Sequence, residues 1–218
     1  MQELTGRSIV AGSIIPLVLF TLVGCFSLGR DSPPLEQYVL GGDRTTAAAS
    51  SSVAATGLTI GLRRLDLEPY LATPAIVVRR GARQITTSDF HRWGEDPRDG
   101  INRAVARHLA ARSSVRAVDV APWPVRSPHD YLVKIHIARF EGVASEESAA
   151  TEGEAHVLAT WEIIHPSSGE VIARGATDYR VGGWVVGNYA HLVALLDGGL
   201  DELTADLASS MGRLGPVT

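Results

Sequence analysis

The chain has 218 residues, enough for one domain with a real core and a tail. Its apolar and charged fractions, 45% and 20%, are ordinary for a globular protein. A formal net charge of −4 argues against a nucleic-acid partner, and a single cysteine, Cys25, excludes an internal disulfide framework and any paired-cysteine metal site.

The chain begins with Glu3 and Arg7, followed by an uncharged stretch from Ser8 to Gly29. Ile9, Val10, Ile14, Ile15, Leu17, Val18, Leu19 and Phe20 form its apolar centre, the pattern of a secretory signal peptide over residues 1–24. Leu22-Val23-Gly24-Cys25 resembles the bacterial lipobox, in which the cysteine after the cut is acylated. Several acyl chains anchor stably where one alone binds marginally. An uncleaved transmembrane helix stays open as an alternative, since roughly 20 residues span a bilayer. Gly12, Ser13 and Pro16 weaken it, as does Glu3 in the flank. A buried structural cysteine is the third reading. Phe26 follows Cys25 where an inner-membrane sorting Asp would stand, which points to the outer membrane.

Residues 25–34 form a lipidated tether, stiffened by Pro33-Pro34, and residues 35–214 the folded domain. Gln37 to Leu40 reads as a short strand, and Gly41 to Gly57 as a flexible loop of small residues. Imperfect alternation from Thr56 to Leu67 predicts a strand, broken at Pro69 and Pro74. Ile76–Arg79 and Arg83–Thr86 flank Gly81, a hairpin with glycine at a positive-φ turn. Arg63, Arg64, Arg79, Arg80 and Arg83 make a basic patch there, either a solvated face or a contact for lipid head groups or an acidic partner.

Asp96-Pro97 then starts a helix: the carboxylate caps the first N–H groups and proline costs nothing at the first helical position. Asp99 complements the dipole in the first turn. Ile101, Val105, His108, Leu109 and Arg112 form one stripe, and Arg98, Arg103 and Arg107 a basic face. Phe90 and Trp93 are expected to pack under the first turn as core.

Val115 to Val120 predicts a strand. In the next, Tyr131, Val133, Ile135 and Ile137 share one face. Gly142 to Gly153 reads as a long hairpin loop, followed by a strand from Ala155 to His165, a turn at Pro166–Gly169 and a last strand from Glu170 to Val181. A second helix runs from Asn188 to Met211, with Leu192, Leu196, Leu200, Leu203, Leu207 and Met211 as its stripe, interrupted by Gly198-Gly199. The expected fold is α+β: a mostly antiparallel sheet with two amphipathic helices packed on one face.

No catalytic motif is present: no G-x-S-x-G, H-E-x-x-H, dinucleotide or P-loop pattern. His136 and His156 fall on strands and, as neighbours, would make only a weak metal site. With Glu162 they are the best candidate set for a lipidated periplasmic hydrolase. Glu95, Asp96 and Asp99 are explained by helix-start chemistry rather than as a glycosidase pair. Neither a cofactor nor a metal is expected.

Several segments, in order, resemble the ABC-type transport auxiliary lipoproteins, the PqiC/YmbA-like family. They are the lipobox cysteine, the Tyr38-Val39-Leu40 strand, Leu65 to Leu71, Ile76 to Arg79, Phe90-His91-Arg92-Trp93, Asp130 to Val133 and Ala159-Thr160-Trp161. Gly94-Glu95-Asp96-Pro97 is one residue longer than the family's usual segment, and the loop after Leu40 is also long. The resemblance implies a non-enzymatic lipoprotein that works with MCE-domain proteins and their permeases in lipid transport across the Gram-negative envelope, and a homo-oligomeric ring as one form. It implies anchoring through Cys25, and Arg92 and Trp93 as candidate contact residues. Trp184 before the last helix either packs against that helix, the favoured reading, or is exposed as a further contact. A structural lipoprotein that binds peptidoglycan or a Tol-like partner is the alternative role.

Overall fold

The described residues of this computed structural model are 33–41, 57–123, 128–147 and 149–214. Cys25, the lipobox and most of the small-residue loop lie outside them. Contacts divide the chain into Met1–Pro34 and Leu35–Thr218, and every element below belongs to the second unit. Among the described residues there are nine strands and two helices: β1 (Glu36–Tyr38), β2 (Leu58–Leu62), β3 (Asp66–Leu67), β4 (Ala75–Arg80), β5 (Gln84–Trp93), α1 (Pro97–Ala110), β6 (Val115–Val120), β7 (Tyr131–Ala144), β8 (Glu152–Ile164), β9 (Val171–Val185) and α2 (Tyr189–Gly212).

β7 is the spine. Its alternation puts Tyr131, Val133, Ile135 and Ile137 into the core and leaves Lys134 exposed on the other face. One flank pairs antiparallel with β8 from Leu132↔Ile164 to Ala144↔Gly153, and β8 pairs antiparallel with β9 in turn. The other flank takes three strands in parallel along its length: β2 at Tyr131–Val133, β3 at His136–Ile137 and β4 at Gly142–Ala144. Two wings grow from there. β6 extends β2 in parallel, while β5 pairs antiparallel with β4 and β1 pairs in parallel with β5.

The α+β class is as expected, and the long ladders are antiparallel. The parallel flank of β7 and its two wings together add five parallel pairings that alternation does not signal. The single strand expected over Thr56–Leu67 is two, because exposed Arg63 and Arg64 separate β2 from β3. The β7–β8 connection is shorter than the expected Gly142–Gly153 loop, since both glycines pair within the ladder. β9 likewise continues through Gly182-Gly183-Trp184. The β4–β5 hairpin is as expected, with Gly81 at a φ of 58°.

α1 starts as its sequence dictates: Asp96 accepts from the Arg98 N–H at 2.9 Å with Pro97 at the first position. Ile101, Val105, His108 and Leu109 are buried. Its basic face is partnered, although Arg103 and Arg107 remain exposed. Arg98 donates to the Leu65 carbonyl at 2.9 Å, Arg107 to the Leu40 carbonyl at 2.6 Å, and Arg103 pairs with Glu95. In α2 all six expected stripe residues are fully buried. Gly199 lies so close to the sheet that a Cβ there would stand 2.5 Å from Val157, which explains glycine inside the stripe. The two helices are clamped together: Arg112 donates to Asp201 and Thr204, and the His108 imidazole sits between Asp197 (3.3 Å) and Asp201 (3.0 Å).

The face of β7 away from the helices hides one carboxylate. Glu141 is fully buried and accepts from Arg79 at 2.6 and 3.1 Å and from Arg139 at 2.9 Å. Arg79 stands over the Tyr70 ring at 5.5 Å. The Tyr70 hydroxyl donates to the Ala138 carbonyl at 3.1 Å, where the β7–β8 register shifts between Ile137 and Arg139. Burial and Glu141 push Tyr70 up to about 12, so it stays a donor. Arg79 is thereby withdrawn from the basic patch, leaving Arg63, Arg64 and Arg83 exposed.

Glu141→Ala strands two guanidinium groups. It is expected to lower stability by about 3–5 kcal/mol, seen as a lower urea midpoint. Arg174→Ala, at a side chain 71% exposed, shifts the midpoint by under about 0.5 kcal/mol.

Candidate functional site

Phe90-His91-Arg92-Trp93 forms the end of β5 rather than a lead into the helix, and β1 lies along it. Glu36 pairs with His91, Gln37 with Arg92 and Tyr38 with Trp93. The β4–β5 pairing is irregular between Thr87 and Arg92, and the Ser88 hydroxyl fills the gap by accepting from the Phe90 and His91 N–H groups at 3.3 and 3.1 Å. The strand is thereby turned so that His91 and Trp93 face inward while Phe90 and Arg92 face out.

The inward side is an aromatic junction. The Tyr38 hydroxyl donates to Glu36 and lies 3.1 Å from His91 Nδ1. Burial, and then the Glu36 bond, push Tyr38 up to about 12, so it remains a neutral phenol. His91 stacks on Tyr189 of α2 with ring centroids 4.2 Å apart. Tyr189 in turn meets Trp184 edge-on at 6.4 Å. Trp184 is fully buried, and its indole N–H donates to the Asn188 carbonyl at 2.9 Å, beside the residue whose side chain caps α2. A Cβ on Gly142 would stand 2.7 Å from this ring and one on Gly153 2.8 Å, so two glycines make its floor. Trp93 packs against Phe140 at 5.8 Å and is 7% exposed.

Of the contact candidates, only Arg92 is exposed, its guanidinium donating to the Asp89 carbonyl at 3.3 Å. Trp93 and Trp184 are interior, which leaves them no surface for a partner; they shape the junction instead. Phe90, expected as core, is 38% exposed. The sequence reading passed over Tyr38, His91 and Tyr189 as site residues. The signal in the chain was a tyrosine following the last strand's Gly-Gly-Trp segment, without a spacing that links it to His91.

His136 and His156 do not meet. His136 pairs with Thr160 in the ladder and contacts Glu68 at 3.2 Å, whereas His156 lies opposite Glu141 and contacts Asp178 at 2.8 Å. Glu162 accepts from Arg174 at 3.0 Å. The hydrolase set is therefore dispersed along the sheet. Among the described residues no group of three His, Cys, Asp or Glu could hold a metal, and no helix is long and apolar enough to cross a membrane.

Residues 38–208 match a family described as ABC-type transport auxiliary lipoprotein component. No curated protein matches the chain. Among solved structures, the chain is similar to a Xanthomonas campestris protein of the DUF330 family. The identity is 17%, over 81% of this chain and 93% of that one, with a TM-score of 0.61. A second structure, of an uncharacterized protein, shares 15% identity over 82% of this chain and 99% of its own, with a TM-score of 0.60. At these identities the likeness shows a common fold.

Two measurements check this geometry. Trp184→Ala is expected to cost about 3–5 kcal/mol in chemical denaturation, because the two glycines and Leu192 cannot close the gap. Burial holds His156 below the ordinary histidine value of 6.5, against its bond to Asp178. Its stabilising contribution is then complete above about pH 6.5 and is lost as pH falls through the lower folded-state value. The stability difference between wild type and His156→Gln should therefore shift in favour of the variant on acidification, measured by denaturation at about pH 7.5 and about pH 5.5.

Proposed function

The chain belongs to the ABC-type transport auxiliary lipoprotein family, and from that premise we propose a non-enzymatic, lipid-anchored docking role in an envelope transport system. The family match spanning the folded domain, behind a lone cysteine in a lipobox, is the observation that carries this reading. Cys25 is acylated after removal of residues 1–24, residues 25–34 are the tether, and the domain from residue 35 receives a lipid conduit. The partners are an MCE-domain protein and its permease. The domain stands on the periplasmic side of the outer membrane, in keeping with Phe26 after the acylated cysteine.

Its ionisable groups support docking over turnover. Glu141, His156, His108 and Arg112 are engaged in fixed pairs that hold strands and helices together. Such a scaffold offers surfaces of defined shape, which is what a conduit end needs.

Cross-linking in membranes, followed by mass spectrometry, tests the role. Wild type is expected in outer-membrane fractions with a captured MCE-domain protein, and Cys25→Ala is expected in the soluble periplasmic fraction. Capture of cell-wall material, with Cys25→Ala still bound to membranes, would sink the reading.

A further inference from the structure

The outer face of the β1–β5 edge is apolar where the inner face is aromatic and polar. Leu35 is 53% exposed, Val39 56% and Phe90 38%. The register puts them together. Glu36 and His91 are paired in parallel, and Leu35 and Phe90 each precede that pair by one position. Tyr38, His91 and Trp93 point inward, with Glu36 at the exposed rim of that face, and Leu35, Gln37, Val39, Phe90 and Arg92 alternate to the outside. Gly94 extends the same face: its N–H donates to the Tyr38 carbonyl at 2.8 Å, and a Cβ there would stand 3.2 Å from Val39.

This face lies where the chain leaves for its anchor. Leu35 follows Pro33-Pro34 directly, and roughly ten residues separate it from Cys25. Fully extended, such a stretch reaches at most about 36 Å. The exposed apolar side chains therefore begin at the residue where the tether ends, within easy reach of a bilayer. Arg92 beside them carries a guanidinium that donates a long bond, 3.3 Å, to the Asp89 carbonyl. A long basic side chain at the rim of an apolar patch can keep its stem in the apolar zone and its charge at phosphate level.

We propose that this face rests on the bilayer that holds Cys25, with Leu35, Val39 and Phe90 set into the boundary between head groups and acyl chains and Arg92 among the phosphates. The proposal rests on the anchoring role of Cys25 given above. It fixes the orientation of the domain. The β1 edge lies on the membrane, and β9, beyond β7 and β8 in the strand order, does not.

The test places a photoreactive benzoyl-phenylalanine in the full chain at Phe90, at Val39 or, as a control on β9, at Ile172, which is 37% exposed. The probe is a vesicle of phosphatidylethanolamine and phosphatidylglycerol. The chain is held on it either by its own acylated Cys25 or, in Cys25→Ala, by an N-terminal histidine tag on a nickel-chelating lipid. Phospholipid adducts at 90 and 39, with none at 172, are expected under both anchors. Absence of adducts at 90 and 39, or adducts to protein alone, overturns the proposal while leaving the anchor intact. If the native chain leaves the vesicles but the tagged chain still gives adducts at 90 and 39, the anchoring role falls and the membrane-facing surface stands.

Discussion

Everything in this molecule depends on the register of β7. It is the one strand that meets β8 on one flank and β2, β3 and β4 in succession on the other. A slip of one residue would turn its core side chains outward and displace four partners together. The irregularity between Ile137 and Arg139 is held from two sides. Tyr70 takes the carbonyl of Ala138, and the buried Glu141 is tied by Arg79 of β4 and Arg139 of β7 itself. A carboxylate is costly inside a protein unless fully paired, so only the correct register satisfies it. Polar burial here selects a pairing more than it adds stability.

That register also sets the position of the aromatic junction. Gly142 and Gly153 sit in neighbouring strands at the end of the β7–β8 ladder and leave the space that Trp184 occupies. Trp184 fixes the start of α2 through Asn188, α2 presents Tyr189, and Tyr189 stacks on His91. The first strand and the last helix are thereby joined through one line of rings. The residues with which the chain resembles its family at Phe90–Trp93 divide accordingly. His91 and Trp93 build the junction, and Phe90 and Arg92 face outward.

The local elements were largely legible from residue order. The Asp96-Pro97 helix start, the alternation of Tyr131 to Ile137 and the leucine stripe of α2 each follow from a short period or a capping rule, and each stands where it was expected. What could not be read was which strands lie beside which. Parallel pairing of β2, β3 and β4 with β7 leaves no trace in a period of two. The basic residues misled for a related reason. Arg98, Arg107 and Arg79 look like a solvated face in a helix or strand pattern, but their long side chains reach carbonyls and a carboxylate from distant segments. Trp184 was ambiguous because two glycines before a tryptophan fit a loop as well as a strand end. The vacant floor that settles it belongs to two other strands.

The shortness of β1 has a mechanical meaning. Three residues attach the first strand to β5, at the outermost position of that wing. A pull on the chain from its N-terminal side reaches this ladder before any other. The load falls first on a few hydrogen bonds and the Tyr38–His91 contact, and reaches α1 only at Leu40, whose carbonyl accepts from Arg107, while the long β7–β8–β9 ladders lie beyond it. β1 is therefore the first segment to peel, lengthening the lead by a few residues and leaving the rest of the sheet intact. It acts as a mechanical fuse between the tether and the domain, absorbing tension before the core is strained.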